Sequence, residues 1–318
     1  MKFLFIADST EKLKPASDTS LAIVRETLKR KHSVFWATDL GVELSGDQVG
    51  VWAAPVKSCL QDDFPTLGDL AWHPINAFHG AWIRKDPPFD TSYVKLCWML
   101  SLAESKVWML NRPSLLIRYH EKLVPLEARA QGYLSKEEIL PSHIGTAKGA
   151  REFIERMKPE WVVTKPFLGF GGGGVQKHSL QDFLKLPDSV LADSVVQPFR
   201  TEITEVGDRR VFFLQGKYSG DFVRMPKPGG FISNLARGGS AKDEPLTTKE
   251  KKVIEKVGKF LKKTGIGFAG ADFIGHRVSE INITSPTGVR ALEKFDGRNL
   301  AEELVMLAEI QIKQRRAG

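Results

Sequence analysis

The chain has 318 residues, 42% of them apolar, and its 46 basic and 38 acidic side chains give a formal net charge of +8. That length allows two or three domains with real cores and excludes a disordered chain. No run approaches the ~20 consecutive apolar residues of a membrane span, and "MKFLFIADSTEK" turns to charge too soon for a signal peptide, so the cytosol is the expected compartment. Cys59 and Cys97 are too few for a disulfide framework or a zinc site and read as small buried groups in a reducing compartment. The basic balance favours anionic ligands: nucleic acid, a nucleotide phosphate or an acidic metabolite.

In chain order, "KFLFIAD" is a strand, and Ser17 or Asp18 caps a helix running to Arg30. "SVFWAT" restores the strand pattern, a hairpin turns at "SGDQ", and "GAWIR" is followed by a helix near 92–104 and the strand "VWMLN". This alternation predicts a parallel sheet with helices on both faces. Pro113 starts a helix through "SLLIRYHEKL"; then come the strand "LPSHI", the helix "TAKGAREFIERM", the strand "EWVVTKPF" and a run of glycines. From 195 onward the strands pair antiparallel, with turns at Gln215 and Gly216 and near Gly275. The helix between them, "KEKKVIEKVGKFLKK", carries a capping box at Thr247 and Glu250 and stops at Gly265. Its lysines form the wet side of an amphipathic helix, and it lacks the interleaved aromatics of a nucleic-acid patch.

The glycines of "TKPFLGFGGGGV" satisfy G-x-G-x-x-G through Gly169, Gly171 and Gly174. A dinucleotide site needs a helix directly after such glycines, whereas "VQKHSL" alternates like a strand. A Walker A loop places its lysine after the glycines, and here Lys165 precedes them. The expected element is a hairpin flap whose bare backbone at Gly171, Gly172 and Gly173 covers phosphates.

In "GADFIGHRVSEINIT", Glu280 and Asn282 are two apart on a strand and share a face, and a loop over Gly275 to Arg277 would set Asp272 opposite Glu280. Three oxygen-bearing side chains then converge as a nest for magnesium, or form a polar strand face in water. Arg84 and Lys85 end a strand before a double proline, and Arg210 and Arg224 lie near opposite ends of one hairpin. Each arginine suits a carboxylate or phosphate, or a surface ion pair.

Taken in order, "RKDPPFDT", "NRPSLLIRYHEKL", "TKPFLGFGGGGV", "GDRRV", "RMPKPGGFISNLARGG" and "EINITSPTG" resemble bacterial glutathione synthetase, of the ATP-grasp superfamily, over nearly the whole chain. The resemblance implies a mixed α/β and α+β ATP-grasp fold: an N-terminal parallel α/β substrate-binding domain at 1–118, a central lid at 119–198 and a C-terminal antiparallel catalytic domain at 199–318. It implies that Lys122 and Lys165 contact ATP phosphates under the flap, that Asp208 holds the ribose, and that Gln197 and Phe199 cradle adenine. Asp272, Glu280 and Asn282 become the metal ligands for magnesium, with manganese as the alternative ion. Arg210 would steady an acyl phosphate and the tetrahedral intermediate, with Arg224 aiding placement of substrate or phosphate. Arg84 and the neighbouring "KDPPFD" would hold the peptide substrate, and Asn282, Ser285 and Thr287 would stand beside the reacting centre. The implied substrates are γ-glutamylcysteine and glycine, with no nucleic acid or membrane as partner. The implied assembly is a homo-oligomer, a tetramer in many bacterial relatives.

Two stretches depart from the family pattern. The flap has Leu168 and Gly169 where D-G-x-G-G carries its acidic residue, and extra glycines follow. The loop "PKPGGFISNLARGGS" at 226–240 has Ile232, Ser233 and Ser240 in place of an arginine, a glycine and a second arginine, with Arg237 as a charge in a shifted position; Gly288 also replaces a larger residue. The altered loop keeps two alternatives open: a related carboxylate–amine ligase with another acyl or amine substrate, and a nucleotide-binding protein without catalysis.

Overall fold

In the computed structural model, which describes residues 1–317, three sheets follow one another along the chain. The first comprises β1 (Lys2–Ala7), β2 (Ser33–Thr38), β3 (Val42–Ser45), β4 (Gln48–Ser58), β5 (Thr66–Leu67), β6 (Ala71–Pro74), β7 (Gly80–Arg84) and β8 (Trp108–Leu110). β1 pairs parallel with β2 and β7, and β7 with β8, while β3 to β6 add an antiparallel flank. Helix α1 (Thr19–Lys29) is capped by Asp18, not Ser17, and α2 (Thr91–Ser101) by Asp90. Both sides of β1 are covered, which is why "FLFIA" is apolar without alternation. Leu4 and Ile6 pack with Leu96, Cys97 and Leu100 of α2, and Phe3 and Phe5 with Leu21, Ile23 and Trp82. Burial pushes the Cys97 thiol up to about 12, the state of an inert packing group.

The helix expected to run through "HEKL" breaks. α3 spans Pro113–Arg118, Tyr119 is extended, and a turn leads to α4 (Val124–Ala130). Tertiary contacts override the local pattern: the His120 ring stacks on Phe167 at 4.3 Å, and the Glu121 carbonyl accepts the Ile281 N–H at 3.1 Å.

The second sheet has the order β11-β10-β12-β9 and is antiparallel throughout, from β9 (His143–Ile144), β10 (Trp161–Pro166), β11 (Gln176–Ser179) and β12 (Ser194–Pro198). Of "LPSHI" only His143 and Ile144 are extended, and Ser179 ends the strand early by capping a helix. Helices α5 (Ala147–Met157), α6 (Leu180–Leu184) and α7 (Asp188–Ala192) complete this unit, the last two unanticipated. Its core is its own: Ala147, Ala150, Ile154, Val162, Phe183, Leu191 and Val196.

After α8 (Glu202–Glu205), the third sheet orders β15-β14-β13-β16-β17, from β13 (Asp208–Leu214), β14 (Lys217–Met225), β15 (Ser240–Lys242), β16 (Phe268–Ile274) and β17 (Arg277–Asn282). Helix α9 (Thr248–Thr264) has the expected capping box and glycine stop, and buries Val253, Ile254, Val257, Phe260 and Leu261. Its cap residue Glu250 is also buried and accepts from Arg209 Nε at 2.9 Å, tying the helix start to β13. The remaining helices, α10 (Val289–Asp296) and α11 (Leu300–Ala317), have no counterpart in the sequence reading. α11 leaves the third sheet and packs on α1, so Leu304, Val305 and Ala308 share a core with Phe3 and Trp82.

Glu309 of α11 accepts from Arg30 Nε and Nη2, both at 2.8 Å, and pairs with His32 at 2.6 Å. The hydrogen bond from Arg30, followed by that from His32, lowers its carboxyl pKa to about 2. A depressed carboxylate stabilises the fold above its unfolded pKa of ~4.3 and loses that contribution as pH falls through the folded value. Glu309→Gln should therefore lower the thermal midpoint at pH 7, with the gap to wild type closing between roughly pH 4.5 and pH 2 in melts on a pH series.

Asn111, at the end of β8, fastens the first sheet to the third. Its Oδ1 accepts the N–H groups of Gly267 and Phe268 at 2.9 Å each, and its Nδ2 donates to the carbonyls of Phe268 and Ile283 at 2.7 and 2.6 Å. Asn111→Ala orphans buried backbone groups on two strands and should cost on the order of 3 kcal/mol in denaturant unfolding, far above a surface asparagine.

Candidate active site

The charged face of the third sheet is written by strand alternation. In "GDRRV", Asp208 and Arg210 point one way and Arg209 the other, toward Glu250 and Asp221. Register sets Arg224 opposite Asp208, Asp272 opposite Arg210, and Glu280 opposite Asp272, so charged residues form a row across four strands. Gly270 leaves room for it: a Cβ there would stand 3.1 Å from Arg210 Nη1. Arg210 grips Asp272 with two donors, Nε to Oδ1 at 2.5 Å and Nη2 to Oδ2 at 3.0 Å, while Arg224 Nη2 reaches Asp272 Oδ1 at 3.0 Å and also pairs with Asp208. Burial pushes the Asp272 carboxyl up, but the two guanidiniums outweigh it and hold it below the ordinary range. For Asp208, burial wins over Arg224 and its carboxyl is raised. Asp208 Oδ1 and Arg224 Nε are buried without a partner among the described residues.

Beside this row, Asn282 Nδ2 lies 3.3 Å from Asp272 Oδ2, and Glu280 pairs with Lys165 Nζ at 3.5 Å. Among the described residues no three His, Cys, Asp or Glu side chains gather to hold a metal ion; the oxygen set is two carboxylates and an amide. That set fits magnesium, which keeps several waters and takes one or two protein carboxylates together with phosphate oxygens. The electrostatics fit as well. Glu121 has its carboxyl raised first by burial and next by the charge of Glu280, with Asp272 adding to it, an excess of negative charge that a divalent ion would offset.

Lys122, only 7% exposed, donates to Glu121 Oε1 at 2.7 Å and to the Gly169 carbonyl at 2.6 Å, and so joins the broken helix to the base of the flap. The flap joins β10 to β11 as expected, with Gly171, Gly172 and Gly174 at φ of +58°, +76° and +70°. Those values belong to the left-handed region, which residues with a Cβ adopt at a cost. The N–H groups of Gly171 and Gly172 have no acceptor among the described residues. Gln197 is buried on β12 and donates to Ser142 Oγ at 2.8 Å. The Phe199 ring meets Phe231 of the 226–240 loop edge-on at 5.9 Å.

These parts enclose one cleft of about 880 Å³ between the three sheets. Lys122, Lys165, Gly171, Gly172, Gly173, Gln197, Phe199, Asp208, Arg210, Arg224, Asp272, Glu280, Asn282, Ser285 and Thr287 all line it. Arg84 does not: its buried guanidinium donates to Ser20 Oγ at 3.1 Å and to the Pro286 carbonyl at 3.2 Å, bracing the wall from behind. Among the other N-terminal liners, Lys85 and Asp86 belong to the "KDPPFD" stretch that the resemblance sets against the peptide substrate, whereas the sequence reading gave Lys12 and Lys14 no role. Burial pushes the Asp86 carboxyl to about 6, with Arg84 pulling against it. The signal for this group was positional, since a polar loop leaving the carboxyl end of a parallel strand is where open α/β sheets bind ligands.

Comparison with known proteins agrees with this geometry. Residues 1–117 match the N-terminal domain of prokaryotic glutathione synthetase, and residues 137–297 match its ATP-grasp domain. A glutathione synthetase of Prochlorococcus marinus subsp. pastoris is 33% identical over 312 residues, covering 96% of this chain and 98% of the relative. One of Nitrosomonas europaea is 29% identical over 333 residues, covering 99% of each. In fold, the chain superposes on the D-cycloserine synthetase DcsG with a TM-score of 0.68 at 13% identity, covering 98% of this chain and 99% of that one. It also superposes on the D-alanine-D-alanine ligase from Coxiella burnetii, with a TM-score of 0.61 at 12% identity, covering 99% and 96%. With both family domains matched in order and a cleft that gathers Lys122, Lys165, the flap and the carboxylate row, the chain belongs to the prokaryotic glutathione synthetase family of ATP-grasp, ADP-forming carboxylate–amine ligases.

Proposed function

We infer that the cleft joins the cysteinyl carboxylate of γ-glutamylcysteine to the amine of glycine, with ATP converted to ADP and phosphate. The observation that carries this is the row Arg224, Arg210, Asp272, Glu280 facing Lys122, Lys165 and the flap across one cleft. A carboxylate is a poor acylating agent because its leaving group is oxide, so its oxygen first attacks the γ-phosphorus of ATP. The acyl phosphate then loses phosphate to the attacking amine. Lys122 and Lys165 would hold the phosphates, and the free N–H groups of Gly171 and Gly172 would cover them. Arg210 and Arg224, fixed by Asp272, would meet the charge that develops on the transferring group without moving to do so. Asp208, with its unpartnered Oδ1, would take the ribose, and Gln197 and Phe199 the adenine end.

Asp272, Glu280 and Asn282 would hold magnesium, which supplies charge neutralisation across the phosphates; the related fold of PsnB, at a TM-score of 0.62 and 13% identity, has been solved with Mg and ADP. Manganese is the alternative ion for the same oxygen set. On the opposite wall, Lys14, Lys85 and Asp86 would receive the peptide substrate, with Arg84 bracing them. Assembly into a homo-oligomer, a tetramer by the resemblance, has exposed apolar surface to use at Trp52, Trp98 and Leu102, and light scattering reads it directly.

The deciding experiment incubates the protein with ATP, magnesium, γ-glutamylcysteine and glycine, and follows ADP and tripeptide. Both are expected together. The departures at Ile232, Ser233 and Ser240 favour one other reading, a ligase for a different acid or amine. ADP formed only with another acid or amine would establish that reading, and tight ATP binding without turnover on a broad panel would overturn both.

A further inference from the structure

The two stretches that depart from the family pattern meet in space. Arg237 of the 226–240 loop donates from Nε to the Gly171 carbonyl at 2.9 Å, at the flap tip. A Cβ on Gly173 would stand 3.5 Å from Arg237 Nη2, and one on Gly172 would lie 2.8 Å from Asn234 Oδ1, 3.0 Å from Ile232 Cγ2 and 3.3 Å from Arg237 Cδ. Asn234 and Ile232 thus rest on bare flap backbone, and there is no space for a side chain at Gly172. The loop is tied down on its other side as well. Ser233 Oγ donates to Asp208 Oδ2 at 3.0 Å, and Phe231 meets Phe199. The extra glycines and the shifted arginine therefore form one contact.

We propose that Arg237 is a positioning residue that fastens the 226–240 loop to the glycine tip, so that the two covers over the cleft close as a unit. It acts through the Gly171 carbonyl, not on the substrate. Turning that carbonyl outward toward the guanidinium leaves the neighbouring N–H groups for the phosphates. Ile232 and Ser233, which replace charged and bare positions of the family pattern, serve the same seam: Ile232 packs on Gly172, and Ser233 anchors the loop to the catalytic row. The proposal rests on the ligase reading for its kinetic consequence, because a cover that opens early admits water to the acyl phosphate.

The test is amide hydrogen exchange on the full chain, with and without ADP and magnesium, for wild type, Arg237→Ala and Gly172→Ala. Arg237→Ala should raise exchange across residues 169–175 as well as 232–239, by about tenfold in the ADP-bound state, and Gly172→Ala should raise it across 232–239 in return. Both sites lie on surface loops, and a thermal melt confirms the fold. Flap exchange equal to wild type in Arg237→Ala, with and without ADP, overturns the proposal, as does an unchanged 232–239 segment in Gly172→Ala. In the ligation assay, Arg237→Ala should release more ADP than tripeptide, with KM for ATP changed less than kcat. Failure of wild type to make tripeptide would strike the ligase reading alone, since the exchange experiment reads the coupling without turnover.

Discussion

Asp272→Ala is expected to remove ligation and to weaken the fold together. Its carboxylate is the shared partner of two buried guanidiniums, accepting from Arg210 Nε at 2.5 Å and from Arg224 Nη2 at 3.0 Å. Removing it leaves Arg224 with Asp208 and Arg210 without an ion-pair partner among the described residues, and breaking a buried pair by deleting one member costs about 3–5 kcal/mol. The rate should fall on the order of a thousandfold or more, because on the proposed reading the same deletion takes a metal ligand and frees the arginines that would meet the transferring group. Thermal melts and product assays on one preparation read both losses. A variant with near-normal turnover would refute the site.

The ion-pair network is why this substitution strikes the fold as well as the chemistry. Glu280→Gln is the cleaner test of the metal. Glu280 is partly exposed and has Lys165 as its single ion-pair partner, at 3.5 Å, so its loss should leave the melting point within a degree or two while raising the magnesium needed for half-maximal rate. An unchanged magnesium dependence would remove Glu280 from the metal site.

Lys122→Met should cost about 10²–10³ in kcat/KM for ATP. The ammonium does two jobs in this structure, binding the Gly169 carbonyl at the flap base and neutralising Glu121. Without it, Glu121 is a buried carboxylate facing Glu280 and Asp272 with its counter-charge gone, and its pKa rises further. Sign and cause can be separated by a double variant. Lys122→Met with Glu121→Gln should recover stability relative to Lys122→Met, because the unpaired charge is gone, but not activity, because the phosphate contact is still missing. Recovery of kcat/KM in the double variant would show that Lys122 acts only by pairing with Glu121.

The features legible in the sequence were those fixed by local periodicity. Residues two apart on a strand share a face, so Glu280 with Asn282 could be placed, and the Gly275 turn set Asp272 against Glu280. The capping box of α9 is likewise a four-residue signal. What escaped depends on partners far along the chain. The "HEKL" segment has helical spacing, yet it unwinds because Phe167, Gly169 and Ile281 compete for its groups. α11 was missed although it closes the N-terminal core, and nothing near Arg84 in sequence announces that its guanidinium is taken by Ser20 and Pro286.

The distribution of apolar cores has a mechanical consequence. Both larger cores mix residues of the first and third sheets, Phe3 with Phe222 and Leu4 with Val211, whereas the core under the second sheet contains no residue from outside residues 147–196. Shifting the first sheet against the third would tear close-packed side chains apart. Shifting the second sheet parts two aromatic contacts, His120 with Phe167 and Phe199 with Phe231, and the polar contacts of Lys122 to Gly169, Lys165 to Glu280 and Arg237 to Gly171. The protein is thus a fixed bench with a single jaw, hinged where the chain enters before β9 and leaves after β12. Movement of the second sheet as a unit would carry the glycine flap across the cleft while the carboxylate row stays where it is.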